Sequence, residues 1–427
     1  MGRHATPDSE TRNLSGWRTA LLGFLILSVV ATIIGVWRLW PATEEPAVSP
    51  EFATAFNLNH TQVEGTVTLV DGLACNSPSV GTAFTDSPAV PLQPSDERCR
   101  RALVDLTSGE NNGLRTMLVT YGMSGEPVLE TGDQILLTET VTEDGSRVYT
   151  FSDYQRGSTL LVWAVIIALT IIFFAAWRGV RALGGLVVTF AGIALFLLPS
   201  LARGGDPLAL AIVTGAAILI VVVPLVHGVN WKSASALGGT LIALGIAALM
   251  ARVAIDSTDL RGLGSQDNLN ILVYLPEVSI LGLMLCGFII GTLGVLNDVT
   301  ISQSSTVNEL AQLDPQASPW RLFLGAMKVG RDHISSMVYT LVLSYTGAAL
   351  PLLLLLSVAE RPLSQILTSD IMATELLRSG VGALALTLAV PLTTLIAAWT
   401  VPGNQQERGK EPDPASDGAP DVPTIRN

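Results

Sequence analysis

The sequence predicts a mostly α-helical, polytopic membrane bundle of about eight spans, with a small β-barrel-like domain inserted after the first span. Three observations predict it. Of 427 residues, 49% are hydrophobic and only 14% are charged, with a mean hydropathy of +0.49. Soluble domains carry about 25% charged residues, so this chain lacks the polar surface to be wetted on every side, and an ordinary soluble enzyme is excluded. Uncharged apolar runs of spanning length recur along the chain, whereas the acidic residues crowd into one block whose hydrophobic period is two rather than 3.6.

The first run, near Thr19–Trp40, follows Arg3, Arg12 and Arg18. It is too long for a secretory signal, and no A-x-A-like cleavage site follows Trp40, so residues 19–40 read as an uncleaved signal anchor behind a cytoplasmic N-terminus at 1–18. Seven further runs lie near Thr159–Trp177, Ala182–Leu201, Pro207–Val226, Ser233–Ala254, Pro276–Asn297, Ser336–Val358 and Gly380–Val401. A span needs about 20 apolar residues, and backbone in lipid must bond to itself, which makes these helices. Arg178, Arg181 and Lys232 in short turns favour a cytoplasmic N-terminus over the opposing set Arg203, Arg252, Arg261, Arg361 and Arg378. Both termini are then cytoplasmic, and the Pro/Asp/Glu-rich tail 402–427 reads as disordered.

Residues 41–158 hold 17 Asp and Glu against 6 Arg and no Lys, a net charge of −11. After the linker Pro41–Pro50, alternating stretches at Val63–Val70, Ala102–Leu106, Arg115–Tyr121, Gln134–Val141 and Arg147–Phe151 are separated by Gly-containing turns. Five short strands predict a small barrel, with an OB-type barrel as one form. Nucleic acid is excluded as a partner, because an acidic surface repels a polyanion. The carboxylates are scattered and no D-x-D-x-D-G loop occurs, so no metal is expected. An oxidising outer compartment would permit a disulfide between Cys75 and Cys99, whose separation the sequence leaves open, and Cys286 lies alone in the sixth span.

The stretch Gly287–Leu310, GFIIGTLGVLNDVTISQSSTVNEL, carries the densest pattern. Gly287, Gly291 and Gly294 bare one helix face for close packing. Asn297 and Asp298 end the apolar run. Asp298, Ser302, Ser305 and Glu309 then align on one face at i, i+4, i+7 and i+11. An ionisable group at a bundle boundary is a candidate for ion coordination or proton relay, or marks the hydrated cytoplasmic interface. Ser318-Pro319 starts a helix whose segment Trp320–Val329 is expected to lie along the membrane surface, within an amphipathic cytoplasmic loop at 298–335. Arg331, Asp332 and His333 introduce the next span, and a cation there can pair with Asp298 or Glu309, or act as an orientation anchor.

These residues resemble a known family. Leu293–Glu309, then GAMKVGRDHISS at 325–336 and LVLSYTGAALP at 341–351, look like the YibE/F family of bacterial membrane proteins, with the resemblance running over roughly residues 155–400. It implies a multispanning cell-membrane protein of unestablished activity. The order of Asn-Asp helix, amphipathic loop and Ser/Thr-bearing span is also similar to Sec translocon accessory subunits and proton-driven efflux permeases. This chain differs by two additional spans, and by Ser302-Gln303 where a charged pair is expected.

Two functions follow as expectations. In one, the bundle is a transport or export-related permease component; in the other, it anchors the outer domain as an accessory subunit for a partner complex. The lipid bilayer is the expected surrounding, with room for a membrane protein partner or a second copy of the chain. No catalytic residues and no cofactor are expected, because H-E-x-x-H, P-loop and G-x-S-x-G motifs are missing and His4, His60, His227 and His333 are remote from one another in sequence.

Overall fold

The computed structural model describes residues 15–52, 61–72, 75–91, 99–142 and 144–401. The N-terminal stretch 1–14 and the tail 402–427, read above as cytoplasmic, lie outside the described residues. Two compact units result: Val48–Phe174, and Met1–Ala47 together with Ala175–Asn427.

In the first unit every alternating stretch forms a strand: β1 Thr61–Asp71, β2 Arg100–Leu106, β3 Arg115–Thr120, β4 Gln134–Val141 and β5 Arg147–Tyr154. They form one antiparallel sheet in the order β3-β2-β1-β4-β5. Register shifts between Val67 and Leu69 and between Leu136 and Leu137 curl it, because an extra residue on one strand bends that strand and increases its twist. Val63, Val67, Val104, Leu106, Ile135, Leu137 and Tyr149 fill the concave side.

The result is a curled half-barrel rather than a closed barrel. Between its two edge strands lies a segment that the alternation rule does not detect. Gly81 donates its N–H to the Met117 carbonyl of β3 at 2.8 Å and accepts from the Tyr149 N–H of β5 at 2.7 Å, while Phe84 exchanges both backbone bonds with Arg115. The edge groups that would template aggregation are thereby partly paired. Gly81 sits at φ +72°, and a Cβ there would meet the Tyr149 carbonyl at 3.2 Å, so only glycine fits both demands.

Cys75 and Cys99 form a disulfide with Cα atoms 6.1 Å apart, tying the approach to that segment to the start of β2. Closing a loop with a sequence separation of 24 is worth about 3 kcal/mol through the unfolded chain. Cys75→Ser in the full chain is therefore expected to lower the urea midpoint at which this unit loses protection from pulse proteolysis. An unchanged midpoint would remove the bond from the unit's stability.

The second unit is helical. The helices of the chain are α1 Gly16–Arg38, α2 Gly157–Ala202, α3 Pro207–His227, α4 Trp231–Ser257, α5 Gln266–Tyr274, α6 Ile280–Leu313, α7 Pro319–Ala348, α8 Leu350–Ser357, α9 Leu363–Leu367 and α10 Asp370–Thr400. Among the described residues six helices are long and apolar enough to cross a membrane, or seven if the bent pair α7–α8 counts as one.

The eight apolar runs all fall mainly in helices. The expected break between the runs 159–177 and 182–201 is a kink in α2 at Ala176, with φ 48° and ψ −132°, where two helical segments meet. Three other junctions differ from expectation. The amphipathic segment Trp320–Val329 is not a separate surface helix, because it runs unbroken through Gly330 into the following apolar run as α7. Likewise Asp298–Leu313 continues α6, leaving only 314–318 as the turn, with Ser318 accepting from the Arg321 N–H at 3.3 Å. The seventh run breaks instead at Ala349, where α8 turns away by 68°. Pro351 supplies the reason, since it has no N–H for the carbonyl four residues back.

α4, α6 and α10 form the centre, with α7, α3 and α1 against them. Small residues set the spacing. Ala243 and Ala247 of α4 and Ala385 and Ala389 of α10 pack on Leu296 and Val299 of α6, which lets these helices approach closely.

Candidate functional site

The face of α6 that the charges mark lies outward. Asp298 and Glu309 are exposed, and Ser302 and Ser305 are half-buried. Arg331 and Asp332 on α7 are exposed too, and no ion pair joins any of these four charged groups among the described residues. One cross-helix contact does form, between the Ser302 hydroxyl and His333 Nδ1 at 3.2 Å. Asn297 is half-buried with its Oδ1 enclosed and unpartnered among the described residues.

The glycine face differs from expectation. A Cβ at Gly287 or Gly294 would meet nothing within 4 Å, so among the described residues no helix packs there, and of the three only Gly291 faces a neighbour, the phenol oxygen of Tyr345. The packing glycines are elsewhere. Gly239 of α4 abuts Thr393 of α10, Gly330 of α7 abuts Gln303 of α6, and Gly382 of α10 abuts Leu341 and Thr292.

The opposite face of α6 carries a polar seam into the centre of the bundle. Thr300, Gln303 and Ser304 are fully buried there, with Thr240 and Ser235 from α4 and Thr393 from α10. The hydroxyls of Thr240 and Thr300 lie 2.6 Å apart, and each also reaches a carbonyl of its own helix, Ala236 at 2.8 Å and Asn297 at 3.0 Å. Two protons serve three contacts, so the arrangement can be drawn in more than one way. The same shortage recurs where Ser235 and Thr400 meet at 2.7 Å while reaching the carbonyls of Trp231 and Ile396.

At one end Ser304 donates to the Lys232 carbonyl at 2.7 Å, and the Arg18 guanidinium lies 4.7 Å over the Trp231 ring while its Nε donates to the Thr400 carbonyl at 2.9 Å.

Gln303 stands out within this seam. Its side chain is 0% exposed, wedged against Gly330 and Val390, and neither its oxygen nor its nitrogen has a partner among the described residues. The Thr393 hydroxyl, equally buried, is also unpartnered among the described residues. A buried polar group left without a bond costs about 1–3 kcal/mol, so a species able to bond the Gln303 amide is favoured there.

A signal for these residues exists in the sequence. The apolar stripe Ile289, Leu293, Leu296, Val307 has the spacing of a buried face, and Thr300 and Gln303 stand where that stripe demands apolar residues. The charged residues mark the exposed face instead.

No group of three or more His, Cys, Asp or Glu residues is placed to hold a metal ion among the described residues. What the seam offers is neutral donors and acceptors in a buried setting. The family model described as YibE/F-like protein matches residues 163–403. No curated protein and no solved structure matches the chain.

Proposed function

The chain belongs to the YibE/F-like family, and from that premise we propose that it is an integral membrane protein acting as a transport or export-related permease component. Several long apolar helices support the membrane reading. At 1.5 Å per residue α6 is about 50 Å long, more than the roughly 30 Å of hydrocarbon, so its polar second half extends toward one membrane face. The disulfide supports an extracytoplasmic half-barrel. Both termini then lie in the cytoplasm of a bacterial cell.

The observation that carries the transport reading is the unpartnered Gln303 amide in the seam. Nothing in an anchor requires a buried amide without bonds. A transporter alternates between a closed seam, in which such a group is orphaned, and an open one, in which water or cargo satisfies it. In this reading the described seam is the closed one.

Thr393→Cys tests this in the full chain, in a Cys286→Ala background reconstituted in vesicles. Methanethiosulfonate ethylammonium is expected to modify the introduced thiol, because the seam opens to water, and to leave an Ala247→Cys control in the dry core untouched. If the thiol at position 393 is as inert as the one at position 247, the seam does not open and the anchoring function takes its place.

A further inference from the structure

A second polar group lies away from the seam, at the break between α7 and α8. A cavity of about 290 Å³ opens there between α7, α8 and the first turns of α10. That is near the small end of the range for ligand pockets. Its walls are mostly apolar, with Val342, Leu353, Met372 and Leu376 among them. Four polar residues line it: Tyr345, Thr346, Glu375 and Ser379.

The one charge in that set is negative. Glu375 is a carboxylate. The three hydroxyls can accept as well as donate, and the Tyr345 phenol oxygen, which rests against Gly291 of α6, is buried without a partner among the described residues. The C-terminal end of α7 lies at the same place, and a helix C-terminus carries partial negative charge. Pro351 sharpens it by removing the N–H that would have bonded the Gly347 carbonyl, leaving that carbonyl only a share of the Ala349 N–H, which donates to the Tyr345 carbonyl at 2.9 Å. Interrupted helices expose such carbonyl ends to cationic cargo.

The cation beside this set is Arg378, which is not part of the cavity wall. Its Nη1 donates to both Glu375 oxygens, at 2.8 and 3.1 Å, while the guanidinium lies 5.6 Å from the Phe288 ring centre. Glu375 therefore has a tethered counter-ion that a second cation can displace. An anion entering the cavity would meet the carboxylate first. A bare metal ion would have to shed its water against aliphatic walls.

We propose that this cavity binds an amphiphilic ammonium, with the apolar body against the aliphatic walls and the ammonium on Glu375 in place of Arg378. Such a head can come from a free lipophilic amine or from an ethanolamine lipid. Only the lipid source rests on the membrane reading above, and the site is separate from the seam.

The full chain in phosphatidylglycerol nanodiscs, which contain no ammonium lipid, is titrated calorimetrically with benzylamine and with benzyl alcohol, its neutral isostere. Benzylamine is expected to bind at least tenfold more tightly than the alcohol. Glu375→Gln is expected to weaken benzylamine at least tenfold, and Arg378→Gln to tighten it several-fold by freeing the carboxylate. Equal affinity for the alcohol, or undiminished benzylamine binding in Glu375→Gln, overturns the proposal.

If Glu375→Gln does not fold, Ala383→Phe fills the cavity, and benzylamine binding that survives this change overturns the proposal equally. Replacing half the lipid with phosphatidylethanolamine then decides the source. Weaker apparent benzylamine binding assigns the lipid head and unchanged binding assigns the free amine, and both results support ammonium recognition. Thiol labelling of Thr393→Cys is independent of this titration, so failure of either reading is visible without the other.

Discussion

Gly239→Val is expected to leave little stably folded protein. The position lies on α4 where it meets α10, and a Cβ there would overlap the Thr393 hydroxyl and come within 2.9 Å of Thr393 Cβ and 3.0 Å of its Cα. The last of these is backbone, so no rotamer change relieves the clash and α10 itself must shift. Valine adds two methyl groups beyond that Cβ. α4 and α10 are both central to the bundle, and the Ser235–Thr400 and Thr240–Thr300 contacts lie within about two turns of the clash on α4 or on α10. Overpacking a tight core costs about 1–3 kcal/mol and sometimes more, and a clash with backbone belongs at or above the top of that range. A bundle of this size loses roughly 2–4 °C of Tm per kcal/mol, so a fall of about 6 °C or more in mild detergent is expected. Gly245→Ala is the control, because a Cβ there meets nothing within 4 Å and helix propensity alone favours alanine by up to about 1 kcal/mol. A Gly239→Val protein that melts with the wild type would show that α4 and α10 do not pack as described.

The periodic elements were legible in the sequence because burial in each is written at one repeat. β2 and β4 alternate, and α3, α4, α6 and α10 carry apolar runs longer than any soluble strand or helix requires. Junctions were less legible. Pro351 ends α7 through a missing N–H, a local cause, yet the same chain passes Gly330 without a break because Gln303 and Val390 fill the space beside it, a tertiary cause that spacing does not reveal. The segment around Gly81 pairs with β3 and β5 through isolated bridges, too short for alternation to register.

The candidate site was least legible. Charge drew attention to Asp298, Glu309 and Arg331, which the bundle leaves exposed, whereas Thr300 and Gln303 are neutral and look ordinary until the stripe from Ile289 to Val307 is followed through them. Cys75 and Cys99 could be named as candidates, but their approach to 6.1 Å depends on how β2 and the loop before it are placed.

Gln303→Leu is expected to stabilise the protein while suppressing its opening. Deleting the amide removes two orphaned polar atoms and breaks no bond among the described residues, and leucine is close enough in volume to stay within what a core tolerates. Relief of the desolvation penalty is worth about 1–3 kcal/mol, which appears as a rise of several degrees in Tm. The gain belongs to the closed state alone, since in the open state water satisfies the amide. The closed-to-open ratio therefore shifts by the same free energy, about tenfold for each 1.4 kcal/mol. In the Gln303→Leu, Thr393→Cys double variant, the introduced thiol is expected to react with methanethiosulfonate ethylammonium about ten times more slowly than in Thr393→Cys alone. A purely structural glutamine gives a different pair of results, with Tm falling and labelling unchanged. Stability and access moving in opposite directions is the signature of a polar group kept in the seam for the state in which it is wet.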